Sequence, residues 1–86
     1  MVKITVVESS DNAVRLRVEG RLTGHGTEEL RKACDLQGLS DGIPMMLDLA
    51  DVSFADAEGI ELLRELRIRM VTLLRPSRFV AEQLKR

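Results

Sequence analysis

Apolar and polar residues alternate most cleanly at Val14, Leu16 and Val18, with Arg15, Arg17 and Glu19 between them. A period of two sends one set to a core and the other to solvent, which predicts a half-buried strand. A shorter β-branched run over residues 3–7, separated from it by the turn formers Ser9, Ser10, Asp11 and Asn12, predicts its antiparallel hairpin partner with one wet face. Gly20, Gly24 and Gly26 end the alternation. Thr27 followed by Glu28 and Glu29 predicts a threonine-capped helix, with Leu30, Ala33 and Cys34 on one face and Gly38 as its stop. Residues 38–42 read as a loop. Residues 44–49 are apolar apart from Asp48, the pattern of a strand covered on both faces.

A second helix opens within residues 54–59, with Ile60, Leu63, Leu66 and Met70 as its apolar stripe, Leu62 widening it, and Glu65 and Arg69 placed for an i,i+4 pair. A short strand over 71–74 follows. Ser77 then caps a last helix running to Lys85, with Val80 and Leu84 turned inward. The order β-β-α-β-α-β-α predicts an α/β fold: a mixed sheet of about four strands with parallel central strands and three helices packed against it.

Composition narrows the chemistry. Eighty-six residues make one small domain, 1–86, with a modest core. Only two residues, Phe54 and Phe79, are aromatic, so the core must be built from Leu, Ile, Val, Met and Ala. Thirteen basic and fourteen acidic residues give a net charge of −1 with the signs interspersed, which argues against nucleic acid or an anionic membrane as partner. Arg64, Arg67, Arg69, Arg75 and Arg78 interleave with Glu61, Glu65 and Glu82 as a solvated face. One cysteine, no membrane-length apolar run and no signal-peptide pattern at the N-terminus lead to the expectation of a cytoplasmic protein. The lone His25 has no second ligand at metal spacing, and Cys34 has no activating base. There is no phosphate-binding loop, no dinucleotide fingerprint and no catalytic triad, so the reading is no enzyme and no cofactor.

The segment 46–63, MLDLADVSFADAEGIELL, resembles the signature of STAS domains, a family that includes anti-sigma-factor antagonists. The resemblance rests on an Asp-Leu pair in a buried strand, an apolar residue before an Asp, two small residues, a Gly and a Leu-rich helix. Upstream, VEGRL at 18–22 is similar to the family's Gly-x-Leu-Asp turn, with Thr23 in place of the Asp. The resemblance implies a STAS-like sheet, a bacterial transcription-regulating setting and binding to an anti-sigma-type serine kinase or a signalling complex. An alternative is an accessory subunit of a lipid-transport ABC system. It also implies a partner surface around the second helix start: Gly24, His25, Thr27, Asp56, Ala57, Glu58, Gly59, Glu61, Leu62 and Arg64.

The family's phosphoacceptor Ser or Thr stands immediately before the Gly. Glu58 holds that position here, after Ala57, so both hydroxyls are missing. Ser53 and Thr23 are nearby but not at the motif position. With Asp56 as the helix cap, Glu58 is the second helical residue, where a carboxylate complements the helix dipole by about 0.3–1 kcal/mol. It is a sound helix-start residue on that ground alone. As a phosphomimetic it is partial, with one negative charge against about 1.5–2 for a phosphate. Whether it imitates the phosphorylated state or removes the switch is left open by the residues. Asp48 reads as a strand-end carboxylate that would lie beside Asp56 and Glu58, either serving loop amides or joining them around Mg²⁺. Finally, incomplete cover on the Phe79 side leads to the expectation of a homodimer.

Overall fold

The computed structural model describes residues 2–86. Its elements are β1 (Val2–Ser9), β2 (Val14–Leu22), α1 (His25–Leu36), a 3₁₀ turn (Leu39–Asp41), β3 (Met45–Ala55), α2 (Ala57–Ile68), β4 (Thr72–Leu74) and α3 (Arg78–Leu84). The four strands lie in the order β1-β2-β3-β4. β1 and β2 form the antiparallel hairpin, while β2–β3 and β3–β4 are parallel. The element order and mixed sheet agree with the alternation of strand and helix signals in the sequence.

The parallel strands advance across the sheet in one direction, so right-handed crossovers put α1 and α2 on the same face. Burial follows: Val14, Leu16, Val18, Met45, Leu47 and Leu49 are closed over by Leu30 and Cys34 of α1, Ile60, Leu63 and Leu66 of α2, and Val80 and Leu84 of α3. The expectation that β3 is covered on both faces is therefore corrected. Met46 and Asp48 point to the open face and are only half buried.

That open face is charged. Arg17 stands opposite Asp48 in the β2–β3 register and reaches Asp51 at 2.9 Å and Glu19 at 3.5 Å. Arg75 pairs with Asp48 from beyond β4. Nearer the strands' carboxyl ends, the Phe54 and Phe79 rings meet at 5.1 Å between centroids, and the Arg21 guanidinium covers Phe54 at 4.7 Å. Phe79 keeps 39% of its surface exposed.

β3 stays paired with β2 for six residues past Leu49, and two bulges break its alternation there. It gains one residue on β2 between Asp48 and Asp51, and another between Val52 and Phe54. Asp48 serves the first bulge, its Oδ1 accepting from the Ala50 N–H at 3.1 Å.

Three helix details also depart from expectation. α1 starts at His25, so Thr27 is not a cap; it is buried, and its Oγ1 has no partner among the described residues. Glu65 pairs with Arg31 of α1 at 2.8 Å instead of with Arg69. Met70 lies beyond α2, 85% exposed and at φ 72°, because the Val71 N–H closes back on the Leu66 carbonyl and turns Met70 outward.

Candidate functional site

β2 and β3 end side by side at the pair Leu22–Ala55, and each then feeds a helix. The starts of α1 and α2 thus share one pole, at the carboxyl end of the parallel strands, where open α/β sheets present their binding surfaces. Two glycines permit the close approach. A Cβ on Gly26 would stand 3.2 Å from the Arg21 carbonyl oxygen, and one on Gly59 would stand 2.4 Å from the Leu22 carbonyl oxygen. The Asp56 N–H donates to that same Leu22 oxygen at 3.2 Å, pinning the entry of α2 to the end of β2.

Asp56 is the N-cap, as its position before Ala57 implied. Its backbone is extended, and its Oδ1 accepts from the Gly59 N–H at 2.8 Å. Ala57 and Glu58 are then the first and second helical residues. Their own N–H groups lack intrahelical acceptors and leave the positive end of α2 facing solvent. Glu58 is exposed there, as are Ala57, Gly24, His25 and Glu61. α1 brings Glu28 and Glu29, also exposed, to the same end. The accessible surface carries Glu28, Glu29, Glu58 and Glu61 with His25 among them; Glu28 is paired with Arg31 at 3.5 Å and Glu61 with Arg64 at 3.4 Å, whereas Glu29 and Glu58 form no ion pair among the described residues.

Several residues expected on this surface lie elsewhere. Leu62 is 1% exposed, because α3 covers that side of α2 and makes it core. Gly59 and Thr27 are buried. Arg64 turns to α3, its Nη2 donating to the Gln83 and Arg86 carbonyls at 2.6 Å each, while Arg67 reaches the Leu84 carbonyl at 3.3 Å.

Asp48 is the largest displacement. It is the fourth of eleven residues in β3, not a strand-end group, which at ~3.3 Å rise per residue sets it roughly 20 Å from Asp56. The separation removes the expected cluster of Asp48, Asp56 and Glu58 and any cation shared by all three. The hydrogen bond from Arg75, helped by the Ala50 N–H, holds the Asp48 carboxyl below the usual carboxylate range. Among the described residues no group of three or more His, Cys, Asp or Glu is arranged to hold a metal ion. Cys34 is sealed in the core, and burial pushes its thiol up to about 11. The two hydroxyls near the motif are held apart from it. Ser53 donates to the Gly20 carbonyl at 3.3 Å, and Thr23 is half buried in the loop before α1. The sequence did not single out Glu28 and Glu29 as surface residues of this pole, although their place in the first turns of α1 is the signal that finds them.

No family model matches the chain, and no curated protein matches it. Among solved structures, the chain is similar to the anti-sigma factor antagonist SpoIIAA in its unphosphorylated form, with a TM-score of 0.75 and 19% identity. The match covers 96% of this chain and 82% of that one. The likeness is one of fold: a four-stranded mixed sheet with three helices, arranged as in that structure. Among the described residues no helix is long and apolar enough to cross a membrane.

Proposed function

We propose that this domain is a non-catalytic interaction module that binds a regulatory kinase of the anti-sigma type, or a signalling complex, through the pole where α1 and α2 begin. The observation that carries the reading is Glu58: an exposed carboxylate at the second residue of α2, beside Gly59, where the resemblance places a phosphorylatable hydroxyl. A fixed negative charge at that point holds the module in one binding state, because no kinase can add or remove it. Glu58 and Glu29, which form no ion pair among the described residues, favour a partner that presents basic residues. The reading places the protein in the cytoplasm with its partner.

The test begins with capture of the partner from the source cell, followed by calorimetric titration of the purified pair. Glu58→Ser should change the affinity by at least several-fold in either direction, and binding should weaken as salt rises. An affinity for Glu58→Ser indistinguishable from the parent overturns the locked-state reading.

A further inference from the structure

The sheet has two edges, and they are finished differently. β4 is three residues long, and Arg75 at φ 50° and then Pro76 end it at once. A short strand stopped in this way offers a neighbour little to pair with. β1 lies at the other end of the strand order. It has eight residues, with no Gly or Pro and with β-branched side chains at Val2, Ile4, Thr5, Val6 and Val7. β2 pairs with one side of it, and the other side makes no backbone hydrogen bond among the described residues. A long unpaired edge of this kind is a template for one more strand.

The two faces of β1 differ. Ile4 and Val6 stand opposite Val18 and Leu16, on the side the helices cover. Lys3 and Thr5 stand opposite Glu19 and Arg17, on the open side. Val7 is the extra residue of a bulge, which shifts the alternation by one, so Glu8, opposite Arg15, falls on the open side with Lys3 and Thr5. The helix-side cover runs out along the strand. α1 meets β1 at Val2, where a Cβ on Gly26 would stand 3.2 Å from the valine Cβ. Val2 is buried and Ile4 half-buried, whereas Val6 is 44% exposed although the Leu16 opposite it is fully buried. Lys3 and Glu8 form no ion pair among the described residues, unlike Arg17, Glu19, Asp48 and Asp51 on the same face.

These features identify the occupant as a second β1 running antiparallel. Opposite residues of an antiparallel pair share a face. With a two-fold axis through Thr5, Thr5 meets its own copy. Ile4 of each chain meets Val6 of the other on the helix side, which covers the exposed valine. Lys3 of each chain meets Glu8 of the other on the open side, with Val7 taken up by the bulge. Apolar residues thus meet apolar ones and each charge meets its opposite, all twice over, as an isologous contact requires. An axis through Ile4 would set Lys3 against Thr5 and leave Glu8 without a partner.

We propose that this domain forms a reversible two-fold dimer by pairing β1 with β1 of a second copy, which joins two four-stranded sheets into one of eight. Both helix layers then lie on one side of the joint sheet. The poles where α1 and α2 begin point away from each other, and both stay open to partners. The Phe79 side, where Phe54 already fills the contact, takes no part.

Sedimentation velocity at low salt, from roughly 10 µM to 1 mM protein, tests this. The parent should pass from monomer to dimer within that range. Lys3→Glu and Glu8→Lys each turn two attractions into two repulsions and should each weaken the dimer about ten-fold or more. An equimolar mixture of the two variants should recover it, because every reversed charge then faces its opposite. Mixing alters neither fold, so recovery separates lost contact from lost stability. Thr5→Cys sits on the axis and should form a disulfide-linked dimer on mild oxidation, whereas Lys3→Cys, roughly 13 Å along the strands from its own copy, should not. Cys34 is buried in the core and does not compete. Phe79→Ser should leave the dimer intact. A parent that stays monomeric throughout, a mixture that associates no better than either variant alone, or a dimer that Thr5→Cys fails to link overturns the proposal.

Discussion

Replacing Gly59 by alanine puts one methyl group where the structure has no room. The new Cβ would lie 2.4 Å from the Leu22 carbonyl oxygen, about 1 Å inside ordinary carbon–oxygen contact, and 3.3 Å from Ala55 Cβ. The obstacle is backbone at the end of a central strand, tied to α2 by the Asp56 N–H, so no side chain can swing aside. Relief requires α2 to lift at its first turn. Overpacking of this kind costs ~1–3 kcal/mol, and a displaced first turn forfeits the Asp56 cap, another ~1 kcal/mol. The better helix propensity of alanine returns at most ~1 kcal/mol. The expected net loss is about 2–3 kcal/mol, from a total of roughly 4–13 kcal/mol for a chain of this length. With a urea slope near 1 kcal/mol/M, the midpoint should fall by about 2–3 M. The chain has no Trp or Tyr, so far-UV circular dichroism is the signal to follow. A midpoint within about 0.5 M of the parent would refute the claim that close approach to Leu22 sets the helix start.

Alkaline unfolding should report Cys34. Its folded value near 11 exceeds the ordinary thiol value of 9.0, so the folded state holds a proton that the unfolded state releases, and stability is full below about pH 9 and declines toward pH 11 by at most ~2–3 kcal/mol. Cys34→Ala should flatten that limb in chemical denaturation measured against pH. The acid side works in reverse. Asp48 is held low by Arg75 first and by the Ala50 N–H second, so its contribution is present above the usual carboxylate range and lost as pH falls through the lowered folded value; Arg75→Gln should blunt that loss in acid titrations of stability. Arg64→Ala should free the last carbonyls of α3, giving faster amide exchange in Arg78–Leu84 with little change in β2 or β3.

The sequence was most legible where local and tertiary demands coincide. β2 alternates because one face of the sheet is wet, and Asp56 reads as a cap because capping is a local bond. It was least legible where a single insertion shifts the phase. The extra residues in β3 near Ala50 and Ser53 turn a period-two pattern into an aperiodic one, so residues 50–55 did not read as strand and Asp48 was set at an end that lies well beyond it. Leu62 was misplaced for a different reason. Its burial comes from α3 closing on a second side of α2, and the stripe of α2 alone does not contain that contact. Of the candidate pole, the helix start and Glu58 were readable in the motif, while the contribution of Gly26 and Gly59 needed coordinates, since close approach leaves no trace in periodicity.

The geometry also separates what makes the pole from what the pole carries. Its shape depends on the Asp56 side-chain cap and on two backbone approaches, Gly59 to Leu22 and Gly26 to Arg21, all made by buried or half-buried residues. Its charge depends on Glu58 and its neighbours, whose side chains extend into solvent. Glu58→Ser should therefore shift stability by no more than the dipole contribution of about 0.3–1 kcal/mol, well below the effect of Gly59→Ala next to it. Position 58 is thus free to vary in charge without disturbing the fold. A change in partner affinity in Glu58→Ser, with the unfolding midpoint nearly unmoved, would then report the charge at the helix start itself. The same affinity change accompanied by a large drop in the midpoint would instead mean that Glu58 holds the first turn together, and that its replacement of a hydroxyl serves the helix and not a partner.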